Sequence, residues 1–257
     1  LTTGFGGNLE ENIGEEALLD MISYVDKTFV EYGADNNSYE PSGAVLKDTI
    51  RKASSVGLKI LPARIRHIGT DASREVLNNM YEDLVQKCDI LMNTFVEDIL
   101  VENGRAVVIL LADGTERRGE YVIAAPGREG ASWLAGLVEK LNIPIASMPV
   151  DIGVRVEVPD SVCEDLTQHF YEVKCLYNTP TFDDRCRTFC MNPSGFVVYE
   201  YNKSHDLVTV NGHSLKNVKS RNTNFAILVT KNFTQPFNDP IGYATHVAKL
   251  ANMLAGG

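Results

Sequence analysis

The segment Tyr121-Val-Ile-Ala-Ala-Pro-Gly127 runs an apolar stretch straight into a proline-glycine turn, followed by Arg128-Glu-Gly130. Glycine puts no side chain between backbone and ligand, so such a turn lets a bound molecule approach closely; an ordinary strand end carries the same signature. Arg66 and His67 form a second candidate, because a guanidinium fork suits an anionic substrate or a cofactor phosphate, with a solvated surface role as the competing reading. The five cysteines, Cys88, Cys163, Cys175, Cys186 and Cys190, lack the paired CxxC units that a structural zinc site favours, and no metal is expected. Cys186 and Cys190 stand four apart and near Cys175, which makes a redox pair conceivable, but reduced thiols are the expectation. A free cysteine such as Cys190 is more commonly a small buried hydrophobe than a reactive group. His205, His213 and His246 have no Ser or Asp partner at a recognisable spacing, so a nucleophilic triad finds no support, and no catalytic acid or base is assigned.

The elements that must hold these residues are legible as periodicity. Leu18, Leu19, Ile22, Val25 and Phe29 predict a one-sided helix over residues 15–32. A second helix is expected over 44–55, stopped at Gly57, and a short strand over 58–61. Val76, Leu77, Met80, Leu84 and Val85 predict a helix over 73–87 feeding a strand over 90–94, which suggests a βαβ-type layer. Asn103-Gly104 and Asp113-Gly114 then separate three β-rich runs, 95–102, 106–111 and 116–124, as a three-stranded meander. Pro144 and Pro149 mark a boundary, beyond which strands are expected at 153–158, 195–201, 207–210 and 225–230, with a closing helix over 241–254. The glycine-rich opening, Leu1 to Asn8, has no strand before it and reads as a cut edge.

Composition narrows the classes. A net charge of −10, from 34 acidic and 24 basic residues, argues against nucleic acid as a partner. No apolar run is long enough to cross a bilayer and no basic cluster precedes an apolar stretch at the start, so no membrane partner is expected and the default location is cytoplasmic.

The order of helix, strand, meander and small-residue turn is similar to the latter part of the FAD-binding domain in the glutathione-reductase-like flavoprotein superfamily, where an Ala-Thr-Gly turn touches the dinucleotide. More specific are Arg66-His-Ile-Gly-Thr-Asp71, Phe189-Cys-Met-Asn-Pro-Ser-Gly195, Val210-Asn-Gly-His213 and Ser220-Arg-Asn-Thr-Asn-Phe225. Together they resemble a bacterial family of uncharacterised FAD-dependent dehydrogenases over nearly the whole chain. The resemblance implies an α/β fold: a partial FAD/NAD(P)-binding Rossmann-like domain with a β-meander over 1–148, and a β-rich (α+β) substrate domain over 149–257. It implies FAD as cofactor, touched by Val96, Ala125, Pro126 and Gly127, with Pro126 in the usual threonine place. Cys190, Met191, Pro193 and Gly195, with Arg66 and His67, are the expected substrate side, and Ser194 stands where glycine is more usual. The family opens on a strand, a GxGxxG turn and a helix that seat the pyrophosphate, and no such motif occurs in this sequence. The expectation is therefore an internal fragment of a FAD-dependent oxidoreductase that transfers hydride to or from a small-molecule substrate, binds FAD weakly or not at all alone, and self-associates through exposed apolar surface. A non-catalytic module binding a small molecule or protein on the same fold is the alternative.

Overall fold

The computed structural model describes residues 9–256, so the glycine-rich opening read as a cut edge lies outside the described residues. In chain order the elements are α1 (Glu10–Ile13), α2 (Glu15–Glu31), α3 (Gly43–Ser54), β1 (Lys59–Leu61), α4 (Thr70–Leu84), β2 (Val96–Glu102), β3 (Arg105–Leu111), β4 (Glu116–Arg118), α5 (Ala131–Lys140), β5 (Val150–Pro159), α6 (Asp160–Phe170), β6 (Lys174–Asn178), β7 (Arg185–Asn192), β8 (Phe196–Asn202), β9 (Leu207–His213), β10 (Asn222–Lys231) and α7 (Pro240–Leu254). They fall into two compact units. One comprises Leu1–Asp83, Met148–Asn202 and Leu207–Gly257; the other comprises Leu84–Ser147 and Lys203–Asp206. Among the described residues every named strand pair is antiparallel, so the fold is a mixture of helices and antiparallel sheets, an α+β arrangement.

The larger unit is organised on a five-stranded sheet in the order β1-β6-β7-β10-β5. Its longest ladder joins β10 to β5 over ten consecutive pairs, Asn222↔Pro159 to Lys231↔Val150. The neighbouring β10–β7 ladder shifts register between Asn224 and Ala226, because β7 spends two residues, Cys190 and Met191, opposite Phe225. Cys190 takes a left-handed φ of 49° to do so, which is the geometry of a β-bulge, a device that re-aims side chains and carbonyls at one point of a ladder. A core of Ala53, Ile60, Phe170, Val173 and Met191, with Leu46, Leu166 and Phe225 packed on it, joins α3 and α6 to this sheet. The β8–β9 hairpin is a separate two-stranded sheet. The Asn252 amide of α7 donates to Val208 O (2.7 Å) and accepts from Val208 N (2.9 Å), so a side chain satisfies backbone groups on an exposed strand.

In the smaller unit β2, β3 and β4 form the expected meander, turned at Asn103 and Gly104, both with positive φ. One expected strand does not form and another is cut short. Residues 90–94 are turn and irregular backbone, because the polar pair Asn93-Thr94 follows only three apolar positions and Asn93 itself adopts a φ of 54°. The third meander strand, expected over 116–124, ends at Arg118, and residues 121–126 belong to no strand. Hence no βαβ layer is assembled among the described residues. The helix over 15–31 forms, but only Leu18 of its expected apolar face is fully buried, while Leu19 and Val25 are exposed. No described helix is long and apolar enough to cross a membrane.

Candidate functional site

In the smaller unit, residues 121–126 pass over the meander and leave a cleft of about 720 Å³, within the range of small-molecule sites. Its walls are mainly apolar: Phe95 just before β2 and Val96 at its start, Ile99 and Ile109 from the ladder, Tyr121 and Ile123 from the irregular segment, and Trp133 from α5. α5 is held on β2 by Trp133 Nε1, which donates to Glu97 O at 2.9 Å, and by the Lys140–Asp98 ion pair. Val96, Ala125 and Pro126, three of the four residues expected at a cofactor, line this cleft. Gly127 follows immediately at φ 69°, a left-handed backbone that glycine adopts without cost. Two arginines reach the cleft. Arg118 is held by Glu102 in a two-pronged contact of 2.9 and 2.6 Å, while Arg117 has no ion-pair partner among the described residues.

The residues expected on the substrate side belong to the larger unit. The bulge turns the Cys190 carbonyl toward two donors, Arg155 Nη1 at 3.2 Å and Asn192 Nδ2 at 2.7 Å. Met191 points the other way and is buried in the core. Pro193 and Gly195 form the β7–β8 turn, which Ser220 pins by donating from its hydroxyl to Gly195 O at 2.5 Å. Ser194 is tied to Asp160 through both its backbone N and its hydroxyl.

Arg66 and His67, adjacent in sequence, do different things. Arg66 is buried, its Nε and Nη2 donate to Asp26 at 2.7 and 2.8 Å, and its Nη1 donates to Asp35 O. That fork is occupied inside the fold, and the hydrogen bonds from Arg66 hold the Asp26 carboxyl below its ordinary range. His67 stacks on Tyr171 with ring centroids 4.4 Å apart. Burial, assisted by the charge of Lys219, pushes its imidazole down to about 4. Tyr171 is itself unusual: its φ of 55° and ψ of −61°, with Glu172 N donating to Phe170 O at 2.6 Å, make a tight three-residue turn of the rarer positive-φ kind.

Sequence reasoning missed Trp133 and Arg117 in the cleft and Arg155, Asn192 and Asn224 around Cys190. The signal for the last two lay in Phe189-Cys-Met-Asn-Pro-Ser-Gly195 and Ser220-Arg-Asn-Thr-Asn-Phe225, whose polar residues sit inside runs otherwise fit for buried strand. A family model described as FAD-dependent protein, C-terminal domain-like, matches residues 149–252, less than half of the chain. That match ties the segment to FAD-dependent proteins at a coarse level. None of the curated proteins compared matches the chain.

Proposed function

We propose that the chain is part of a FAD-dependent oxidoreductase that moves hydride between flavin and a small-molecule substrate, with residues up to 148 serving the dinucleotide in a Rossmann-like layer and residues 149–257 serving the substrate. The observation that carries this reading is the cleft of the smaller unit. Residues singled out for a cofactor, Val96, Ala125 and Pro126, line one concave, largely apolar space, and all of them lie outside the segment 149–252 that matches the FAD-dependent family model. The cleft and the matched segment lie in different parts of the chain, as this division of labour requires.

The lining fits the group. Trp133, Tyr121 and Phe95 offer faces and edges to a flat heteroaromatic ring. Arg117, in no close ion pair among the described residues although its charge is felt by Asp113, is suited to a phosphate at the cleft. FAD when bound supplies two-electron chemistry at its isoalloxazine ring; the chain's own part is to bind, orient and exclude water. The absence of a GxGxxG fingerprint from the sequence removes the usual pyrophosphate cradle, so affinity for the nucleotide is expected to be weak.

Trp133 is the single tryptophan of the chain, which makes the cleft readable by intrinsic fluorescence. Titration with FAD and with ADP is expected to quench Trp133 saturably in the range of tens to hundreds of micromolar, roughly 5 to 6 kcal/mol of binding. Arg117→Ala should weaken both about tenfold, and Ala125→Glu should abolish the quench. An emission that ignores both nucleotides, or Arg117→Ala binding as tightly as the parent, would remove the cleft from the flavin reading.

A further inference from the structure

Among the described residues four buried side-chain polar atoms have no hydrogen-bond partner: His67 Nε2, Arg155 Nε, Tyr171 Oη and Asn224 Nδ2. Natural folds leave very few such atoms, and each calls for a cause. These four are not scattered. His67 stacks on Tyr171; the Tyr171 hydroxyl faces the Ser214 side chain, an interaction that falls short of a full hydrogen bond; the Ser214 hydroxyl donates to Asn192 Oδ1 at 2.8 Å; Asn192 Nδ2 donates to Asn224 Oδ1 at 3.4 Å; and Arg155 Nη1 donates to the same oxygen at 2.7 Å. One connected set within the larger unit holds every one of them. Asn224 is wholly buried and Tyr171 is 8% exposed.

The chemistry of the deficit is one-sided. Asn224 Oδ1 must face the guanidinium, because turning the amide over would set NH₂ against a cation, so its Nδ2 is a donor without an acceptor. Arg155 Nε can only donate. A phenol and a neutral imidazole can each donate as well. Arg155 meets two neutral oxygens, Cys190 O and Asn224 Oδ1, and no carboxylate among the described residues. A partly buried guanidinium without an anion is expensive, and water supplies an acceptor but no charge. The backbone is shaped around this set: a Cβ on Gly212 of β9 would lie 2.2 Å from Asn192 Nδ2, 2.4 Å from Arg155 Nη1 and 2.5 Å from Asn224 Oδ1. The Cys190 bulge and the strained turn at Tyr171 border the same set, as expected where a structure stores strain for binding.

We propose that Arg155, Asn224 and Tyr171, supported by Asn192 and Ser214, form a binding site for a small oxyanion, such as the carboxylate end of an organic ligand. This goes beyond the flavin reading, involves no residue of the cleft, and can be tested with no flavin present.

The experiment is thermal unfolding of the full chain against acetate and against inorganic phosphate, with sodium chloride at matched ionic strength as the baseline. Saturable stabilisation is expected, a rise in Tm of about 5 °C when the probe is in hundredfold excess over its Kd. A response to acetate marks a planar carboxylate site, and a response to phosphate alone marks a tetrahedral one. Asn224→Asp puts a carboxylate of the chain's own beside Arg155; it should melt higher than the parent without any probe and lose the response. Arg155→Met should lose the response without that gain. A Tm that follows sodium chloride alone with both probes, or an Asn224→Asp variant responding like the parent, would leave the four atoms to ordered water and overturn the proposal.

Discussion

At the scale of single residues, the chain shows how adjacency misleads. Arg66 and His67 share one motif and one expected role, anion binding, yet Arg66 is taken up by Asp26 and the Asp35 carbonyl. With both side chains 8% exposed, the pair is deep enough that each charge depends on the other. Removing one partner from a buried pair typically costs about 3–5 kcal/mol, far more than the net worth of the pair, because the remaining charge stays desolvated. Asp26→Asn is therefore expected to lower the urea unfolding free energy by about 3 kcal/mol or more. The double change Asp26→Leu with Arg66→Met should cost much less than the two single changes added together. Additive losses would mean the two charges are solvated in the folded protein, against the burial described.

At the scale of elements, helices with an intrinsic stop are the firmest. Asp239 caps α7 by accepting from Gly242 N at 2.8 Å, with Pro240 at the first helical position. Asp239→Ala should cost about 1 kcal/mol, some 2–4 °C in Tm for a unit of this size, and Asp239→Asn much less; equal losses from both would place the effect elsewhere than in the cap. The same local logic explains what was legible from sequence. The helices at 15–31, 43–54, 70–84 and 240–254 and the two hairpin turns of the meander were readable because capping residues, 3.6-residue periodicity and Asn-Gly or Asp-Gly pairs are local signals. The strand expected at 90–94 and the latter part of the one expected at 116–124 were apolar enough, but a strand needs a neighbour, and pairing is decided at a distance. β6 and β7 went unread because Lys174, Arg185 and Arg187 put charge on these runs, and the partner that settles Arg187, Asp151 at 2.5 Å, lies 36 residues away. Of the candidate site, the turn before Gly127 and the Cys190 loop were visible as short motifs. Arg155 was not, because its partners Cys190 and Asn224 lie 35 and 69 residues away.

At the scale of the whole molecule, the titrating groups give the folded state an asymmetric response to acid. Several carboxyls, among them Asp26, Asp98 and Asp151, are held below their ordinary range, the first two chiefly by hydrogen bonds from Arg66 and Lys140, and Asp151 by hydrogen bonds from Thr230 and Arg187 that outweigh its burial. Their contribution is present above the unfolded carboxylate range and is lost as pH falls through the lowered folded values. His67 acts earlier. Its imidazole titrates at about 4 when folded and near 6.5 in an unfolded chain, so between those values the unfolded state binds the extra proton and stability rises with pH. No part of this is lost above pH 6.5; the loss accumulates on going down toward pH 4, to at most about 3 kcal/mol and less where water reaches the ring. The protein should therefore begin to weaken on acidification well above the carboxylate range. His67→Phe keeps a ring on Tyr171 and removes the titration. Its urea midpoint should stay nearly flat from pH 7 to pH 5 while the parent's falls, and the two should decline together below pH 4. Parallel curves over pH 7 to 5 would mean that His67 is solvated enough to titrate normally, and that the early acid weakening, if seen, arises at another group.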